Sequence, residues 1–105
     1  MATTQELEIM QLIANAGESK TKAFEALAAV KTQDFDRARR LLAESKAIDV
    51  AAHNAQTAMI CREFDPDQTS EPVSLLMVHA QDHYMTSQLA RDLIETLIGI
   101  FENKN

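Results

Sequence analysis

Residues 75–102 read LLMVHAQDHYMTSQLARDLIETLIGIFE, and this segment decides the fold. Side chains recur in it at three- and four-residue steps, which is the spacing of a helix that buries one stripe against partner helices. The stripe contains Leu75, Val78, Asp82, Met85, Leu89, Leu93, Thr96 and Ile100. Further apolar residues lie off this stripe, namely Leu76, Met77, Ile94, Leu97, Ile98 and Phe101. A helix that is apolar on several sides needs more than two neighbours, and self-association is the simplest way to supply them.

The rest of the chain has the same helical character. Its 105 residues include only two glycines and two prolines, and so few turn formers favour a few long helices over a sheet. We expect a single domain, residues 1–105, with helices at about 4–31, 35–62 and 73–102. A polar, acidic loop bracketed by prolines, residues 65–72, precedes the last helix. The predicted fold is all-α, an antiparallel three-helix bundle.

The first two helices each carry one mainly apolar stripe. On the first helix it consists of Ile9, Ile13, Ala16, Lys20, Ala23, Leu27 and Val30, widened by Leu12 and Phe24. On the second helix it consists of Phe35, Ala38, Leu41, Leu42, Ser45, Ile48, Ala52, Ala55 and Met59. Many of these residues are small, which permits tight packing. Thr3 and Glu6 have the spacing of a capping box, and residues 32–34 form a short break that can cap the second helix. Gly17 indicates either a close helix–helix approach, which we favour, or a local irregularity.

Charge and composition exclude several classes of protein. The net charge of −6 disfavours nucleic acid and anionic membranes as partners, because both attract basic surfaces. No apolar run reaches about 18 residues, so no membrane-spanning helix is predicted. Residues 1–9 lack the basic start and apolar core of a signal peptide. Cys61 is the single cysteine and cannot form an internal disulfide, which suits the cytoplasm.

Two histidines and a carboxylate lie within little more than one turn of the third predicted helix. Residues three and four apart are neighbours on a helix, so His79 lies beside both Asp82 and His83. Imidazole titrates near neutral pH, and its neutral ring nitrogen is nucleophilic. Asp82 falls on the apolar stripe, where a carboxylate needs a proton, a cation or a hydrogen-bonding partner. The segment therefore predicts a buried acid next to an edge-exposed imidazole pair.

The residues alone leave more than one function open. The spacing of His79, Asp82 and His83 is close to the inverted zinc-protease pattern, but the acid is aspartate and His53 lies on another helix. A non-catalytic helical interaction module would carry the same histidines on its surface. His53 and Gln56 are equally consistent with support of a site and with an ordinary helix surface. No glycine-rich phosphate loop is present, so phosphoryl chemistry here cannot start from bound ATP.

The third helix contains a string that resembles a known signature: VHAQDHYMTS, residues 78–87. It is similar to the Val/Ile/Met-His-Ala/Gly-Gln-Asp-His-Leu-Met-Thr pattern of the IIA components of lactose/cellobiose phosphotransferase systems. Tyr84 is the visible departure, because leucine is common at that position. The string AHNAQT, residues 52–57, resembles the family's Ala-His-x-x-Gln-Thr, and residues 15–20 resemble its Gly-x-x-Arg/Lys segment. The order of helices and loops is similar over essentially the whole chain.

The resemblance implies a phosphocarrier. His79 matches the family's phosphorylated histidine, which accepts a phosphoryl group from the phosphohistidine of HPr. The group then passes to a cysteine of the IIB component, and the IIC permease is involved only indirectly. His83 would offset the phosphoryl charge, while Gln81 and Gln56 would donate hydrogen bonds.

The resemblance also implies an assembly and a substrate class. The family forms a homotrimer of nine helices, with the counterpart of Asp82 binding a metal ion on the threefold axis. We expect Mg²⁺, one ion per trimer, because hard cations prefer carboxylate oxygens. The sugar would be a β-linked disaccharide, and the third helix is closer to the chitobiose/cellobiose branch than to the lactose branch. The competing prediction is a non-catalytic helical oligomeric interaction module.

Overall fold

The chain folds into three helices over residues 3–67 and 72–104, the part that the computed structural model describes. They are α1 (Thr4–Val30), α2 (Phe35–Phe64) and α3 (Leu75–Asn103). Within these residues the all-α prediction is confirmed, since no strand is present. Of the predicted loop 65–72, residues 68–71 lie outside the described residues. α2 continues to Phe64 instead of ending at 62, and α3 begins at Leu75 instead of 73.

A side-chain oxygen closes the N-terminus of each helix. Thr3, Asp34 and Ser74 each accept a hydrogen bond from the backbone N–H three residues further on, at 3.1 Å. Caps of this kind satisfy a backbone donor that has no partner inside the helix. Ser74 has extended backbone angles. This explains why α3 begins later than the apolar pattern predicts.

Ion pairs at the ends of the helices define their directions. Arg62, near the end of α2, pairs with Glu8, near the start of α1. Arg39, near the start of α2, pairs with Glu102, near the end of α3. α2 therefore runs antiparallel to both other helices, and α1 and α3 run parallel. The predicted antiparallel bundle is the one observed.

Two buried apolar clusters fill the bundle, one in each half. The first contains Ala23, Ala26, Ala29, Ala38, Leu41, Leu42, Ile94 and Ile98. The second contains Ile9, Leu12, Ala16, Ala52, Met59, Ala80 and Tyr84. Between α1 and α2, the hydroxyls of Ser19 and Ser45 each donate to the other residue's carbonyl, at 3.0 and 2.7 Å. On α1 the predicted stripe is wrong at Lys20 and Phe24, which are exposed, while Ser19 is buried.

The face that α3 buries within the chain is not the predicted stripe. Its buried residues are Ala80, Tyr84, Ser87, Ile94 and Ile98. The predicted stripe lies on the opposite side of the helix, and all eight of its members, Leu75, Val78, Asp82, Met85, Leu89, Leu93, Thr96 and Ile100, are exposed. The inward face mixes small residues with isoleucines, which lets α3 approach α1 closely. Both faces follow a helical period, so periodicity could not decide which one the chain itself buries.

No described helix combines the length and the apolar character needed to cross a membrane. α3 thus has two separate apolar faces, one buried within the chain and one exposed. We call this stripe the outward face of α3 and the buried set its inward face.

Candidate functional site

His79 and His83 lie one turn apart on α3, between its inward and outward faces. Their ring centroids are 5.8 Å apart and the ring planes are perpendicular. His79 is exposed, whereas His83 is half-buried. The two imidazoles are neighbours, as their spacing predicts. His79 is thus open to a partner while a second imidazole stands beside it.

His83 forms one side of a groove along α1. The groove has a volume of about 540 Å³ and is lined by Gly17, Lys20, Thr21, Phe24, Glu25, Ala28 and His83. A Cβ atom added to Gly17 would lie 3.7 Å from Cε1 and 3.9 Å from Nε2 of His83. Gly17 of α1 therefore lies against an imidazole ring of α3, and the adjacent Ala16 carbonyl accepts a hydrogen bond from Ser87 of α3, which fits the predicted close helix–helix approach. Lys20 adds a positive charge to the same groove.

Asp82 lies on the outward face of α3 and is exposed. The prediction of a buried acid is wrong for the single chain, because the whole stripe that carries Asp82 points away from the bundle. Its neighbours on that face include Val78 and Met85, which are also exposed. The described residues contain no group of three or more His, Cys, Asp or Glu residues that could hold a metal ion. One chain offers a single carboxylate here, so a metal site at Asp82 requires ligands from further copies.

Gln81 and Gln56 form a pair on the other flank of α3, next to α2. The Gln56 side-chain amide donates to Oε1 of Gln81 at 2.6 Å. The Gln81 amide is directed back along α3, with Sδ of Met77 3.5 Å away. Residues two apart on a helix point in nearly opposite directions. The structure therefore brings Gln56 and Gln81 together but does not bring either to His79 of the same chain.

Tyr84 and His53 form a second pair on this flank. The Tyr84 hydroxyl lies 3.2 Å from Nδ1 of His53, and Tyr84 is 1% exposed. Burial raises the pKa of the Tyr84 hydroxyl, and the nearby carboxylate of Asp49 raises it further. The hydroxyl therefore keeps its proton at neutral pH and can act as a donor. His53 itself is exposed, so this pair links a surface imidazole to the centre of the bundle.

An ion pair that the sequence patterns did not predict lies one turn further along α2, between Asp49 and Arg91. Nη2 of Arg91 lies 3.4 Å from Oδ2 of Asp49, whose side chain is buried. Oδ1 of Asp49 and Nε of Arg91 are buried without a hydrogen-bond partner in the structure. The sequence did contain a signal for this ion pair, because Asp49 falls on the α2 stripe, four residues after Ser45 and three before Ala52. A charged residue at that spacing predicts a buried carboxylate that needs a cation.

An exposed imidazole with a second imidazole beside it is suited to covalent group transfer. A neutral ring nitrogen can accept an electrophilic group, and the accessible position lets a donor protein and an acceptor protein reach the same atom in turn. The groove beside the imidazole pair is open to solvent along α1. Fold and site together define a small three-helix domain that exposes an imidazole pair on one flank of its last helix.

The comparisons identify the family. The chain belongs to the family described as PTS system, Lactose/Cellobiose specific IIA subunit, whose model matches residues 7–102. It is 43% identical over 100 residues to the N,N'-diacetylchitobiose-specific EIIA component of the PTS system of Escherichia coli K12, a match that covers 93% of this chain and 84% of that protein. The predicted resemblance is confirmed.

Solved structures of the same family share the fold. The cellobiose-specific enzyme IIA of Bacillus anthracis superposes with a TM-score of 0.89 at 32% identity, covering 98% of this chain and 93% of that one. The IIA(Chitobiose) of the Escherichia coli phosphotransferase system, solved in a complex with HPr, superposes with a TM-score of 0.80 at 39% identity, covering 97% of each chain. The chain is thus a IIA component of the phosphotransferase system.

Proposed function

We propose that the protein relays a phosphoryl group from HPr, through a phosphohistidine at His79, to the cysteine of a IIB component. The observation that carries the proposal is the exposed ring of His79 beside half-buried His83, within a string that resembles the family signature. Membership of the IIA family supports this place in the relay. The protein would be a covalent intermediate of sugar uptake and not a free-standing enzyme.

Each transfer exchanges one bond to phosphorus for another. In the first, a neutral ring nitrogen of His79 attacks the phosphorus, and the phosphorus–nitrogen bond to HPr breaks with the electron pair leaving on the HPr imidazole. In the second, a thiolate of the IIB component attacks and the bond to His79 breaks. Catalysis of such steps consists mainly of positioning and charge stabilisation. Protonated His83, whose ring centroid lies 5.8 Å from that of His79, would offset the phosphoryl charge.

The active assembly would be a homotrimer whose core is the outward face of α3. Exposed apolar side chains follow this face along nearly the whole helix, including Leu75, Met85, Leu89, Leu93 and Ile100. Contiguous apolar surface of this kind marks an interaction site. Three copies closed around an axis would bury three such faces and give nine helices.

The trimer would also bring Gln81 to the phosphoryl site. In a closed ring, one flank of each α3 meets the opposite flank of the next copy. The flank with His79 would therefore face the flank on which Gln56 holds Gln81. Hydrogen-bond donation to the phosphoryl group by these glutamines would then come from a neighbouring copy.

Asp82 is the residue that would hold a metal ion in this assembly. Three carboxylates on a threefold axis cannot all stay ionised without a cation. Mg²⁺ binds carboxylate oxygens well, and one ion per trimer would neutralise the charge of an otherwise apolar core. Its role would be structural, and neither transfer step runs through it.

The proposed partners are HPr, the IIB component of the same permease and further copies of this chain. Similarity to a IIA(Chitobiose) solved with HPr supports the first partner. The membrane component IIC would be reached only through IIB, with the carrier acting in the cytoplasm. Nucleic acid is not proposed as a partner, because the net charge is −6. Similarity to chitobiose and cellobiose IIA proteins supports a β-linked disaccharide as the transported sugar.

Reconstitution of the relay tests the proposal. The protein is incubated with phosphoenolpyruvate, enzyme I and HPr, and its intact mass is measured with and without acid treatment. We expect an acid-labile gain of one phosphoryl group, which is absent in His79→Ala. The absence of any gain while HPr is phosphorylated would contradict the proposal and favour the alternative, a non-catalytic helical oligomeric interaction module.

If His83→Ala is phosphorylated as fast as the parent protein, the role given to His83 is wrong.

A further inference from the structure

Two hydrogen bonds join α2 to the turn of α3 that carries His79 and His83. Gln56 donates to Gln81 at 2.6 Å, and the Tyr84 hydroxyl lies 3.2 Å from Nδ1 of His53. The partners are three residues apart on each helix, so the two bonds are successive rungs of one ladder. They flank the same helical turn as the imidazole pair, but on its other side.

Apart from these two hydrogen bonds, the described contacts of residues 79–84 with the other two helices are apolar or are made to a glycine. The buried residues of this turn on the inward face are Ala80 and Tyr84. Towards α1, His83 meets Gly17, which has no side chain to hold the ring in place. Apolar contacts are non-directional and do not by themselves aim the histidine side of the turn at a donor. A hydrogen bond requires a specific distance and angle, so the two rungs set the orientation of this turn relative to α2. One turn further on, the Ser87 hydroxyl donates to the carbonyl of Ala16 at 2.9 Å and holds α3 relative to α1.

Tyr84 supplies the second rung. It stands where leucine is common in the family signature, and a leucine could fill the apolar space without reaching His53. Tyr84 is also the largest side chain that is fully buried. Its ring packs in the apolar cluster of its half of the bundle, so the position of its hydroxyl is fixed by that packing. A buried polar group is retained at low cost only when it is hydrogen-bonded, and His53 is the partner observed.

We propose that Tyr84 and His53 are positioning residues for phosphoryl transfer, in that the hydrogen bond between them holds the α3 turn with His79 in the orientation that a donor phosphohistidine requires. In this arrangement the Tyr84 hydroxyl keeps its proton and donates a hydrogen bond to Nδ1 of His53. The ring proton of His53 therefore resides on Nε2, at the solvent side. The proposal rests on the proposed function, because it concerns the reactivity of His79.

The test compares single-turnover rates of transfer from phospho-HPr for the parent protein, Tyr84→Phe and His53→Ala. Tyr84→Phe removes only the hydroxyl, and His53→Ala removes only the exposed partner. We expect each variant to accept the phosphoryl group about five- to tenfold more slowly at saturating HPr, because small misplacements of a reacting group are costly in rate. The HPr concentration for half-saturation should stay within about twofold, since neither change alters the surface around His79. The double variant should be no slower than either single variant.

A matched control separates positioning from a general loss of stability. Ser45→Ala also removes one buried hydroxyl hydrogen bond, but between α1 and α2 and away from α3. It should lower the midpoint of urea unfolding as Tyr84→Phe does and leave the transfer rate unchanged. Nitrogen NMR of the His53 ring supplies a second readout: Nδ1 should be the unprotonated nitrogen in the parent protein, and its signal should shift in Tyr84→Phe.

Three results would overturn the inference. Rates within about twofold of the parent in both Tyr84→Phe and His53→Ala would show that the bond does not position His79. An equal slowing by Ser45→Ala would assign the effect to stability. If the parent protein is not phosphorylated by phospho-HPr at all, the proposed function itself fails, and the two failures are thereby distinguished.

Discussion

The two apolar faces of α3 differ in what covers them. On the inward face, Ile94 is 3% exposed and packs in the cluster shared by all three helices. On the outward face, Leu93 is 56% exposed although it is the adjacent residue in the chain. The outward residues are as apolar as the inward ones and follow the same helical period. The difference is that the chain supplies two helices to cover one face and none to cover the other.

The inward face of α3 contributes to the stability of the single folded chain, and the outward face would contribute to the stability of an assembly. Burial of the inward face belongs to the folding of a single chain, whereas burial of the outward face would come from the proposed association with other copies. The histidine flank lies at the boundary between the two faces. A site placed there depends on folding for the position of its imidazoles and, in the proposed trimer, would depend on assembly for the glutamines of a neighbouring copy.

The largest effect is expected from a charge placed in the middle of the outward face. Leu89→Glu would put one carboxylate per chain at the centre of the proposed trimer core. Desolvation of like charges in an apolar interface costs several kcal/mol, so we expect dissociation to folded monomers at micromolar concentration. Sedimentation velocity and circular dichroism measure the mass and the helicity of the variant.

Val50→Glu is the matched control for that experiment. Val50 and Leu89 are both 59% exposed in the single chain, but Val50 lies on α2 and outside the outward face. Its replacement by glutamate should leave the trimer intact. A trimeric Leu89→Glu protein, or a parent protein that is already monomeric, would contradict the assignment of this face to assembly.

The second prediction compares the adjacent residues Ile94 and Leu93 in the monomeric Leu89→Glu background. Ile94→Ala should lower the free energy of unfolding by about 2–4 kcal/mol, because it leaves a cavity in the core. Leu93→Ala should change it by less than about 0.5 kcal/mol, since its side chain is mostly in water when the chain is alone. Urea unfolding followed by circular dichroism measures both values. Equal losses would mean that the two faces are not distinct in the monomer.

Much of this fold could be predicted from the sequence, because long helices with few turn formers leave few alternatives. The caps at Thr3 and Asp34 were predictable because each needs only a side-chain oxygen at a fixed position. The assignment of faces on α3 was not predictable in the same way. Periodicity shows that a face is apolar. Which surface covers that face depends on how many helices the chain itself contributes to the bundle.

The candidate site was predictable only in part for a related reason. The proximity of His79 and His83 follows from helix geometry alone, since residues four apart are neighbours. The His53–Tyr84 bond and the Asp49–Arg91 ion pair depend on the register between α2 and α3. Helical periodicity does not predict that register, because it is set by how α2 and α3 each pack against α1.

The third prediction concerns the one carboxylate on the outward face. Asp82→Leu should preserve the trimer and raise its stability by about 1–2 kcal/mol in the presence of EDTA, because an apolar side chain replaces a charge that needs a cation. In the parent protein we expect Mg²⁺ to raise the melting temperature and EDTA to lower it. Neither should affect Asp82→Leu. Dissociation of the variant into monomers would contradict this role, and an equal response to EDTA in both proteins would mean that the ion binds elsewhere.

The smallest effect is expected from a contact that lies on neither face of α3, the ion pair between Glu8 of α1 and Arg62 of α2. The hydrogen bond from Arg62 lowers the pKa of the Glu8 carboxyl below its ordinary value of 4.5. A carboxyl with a lowered pKa stabilises the fold above its unfolded-state pKa, and this contribution is lost as the pH falls through the folded-state pKa.

Glu8→Gln should therefore be less stable than the parent at neutral pH by less than about 1 kcal/mol, since both side chains are partly in solvent. The difference should shrink between about pH 5 and about pH 3 when thermal unfolding is measured in the monomeric Leu89→Glu background. A difference that stays constant over this range would mean that the two variants differ in packing and not in charge.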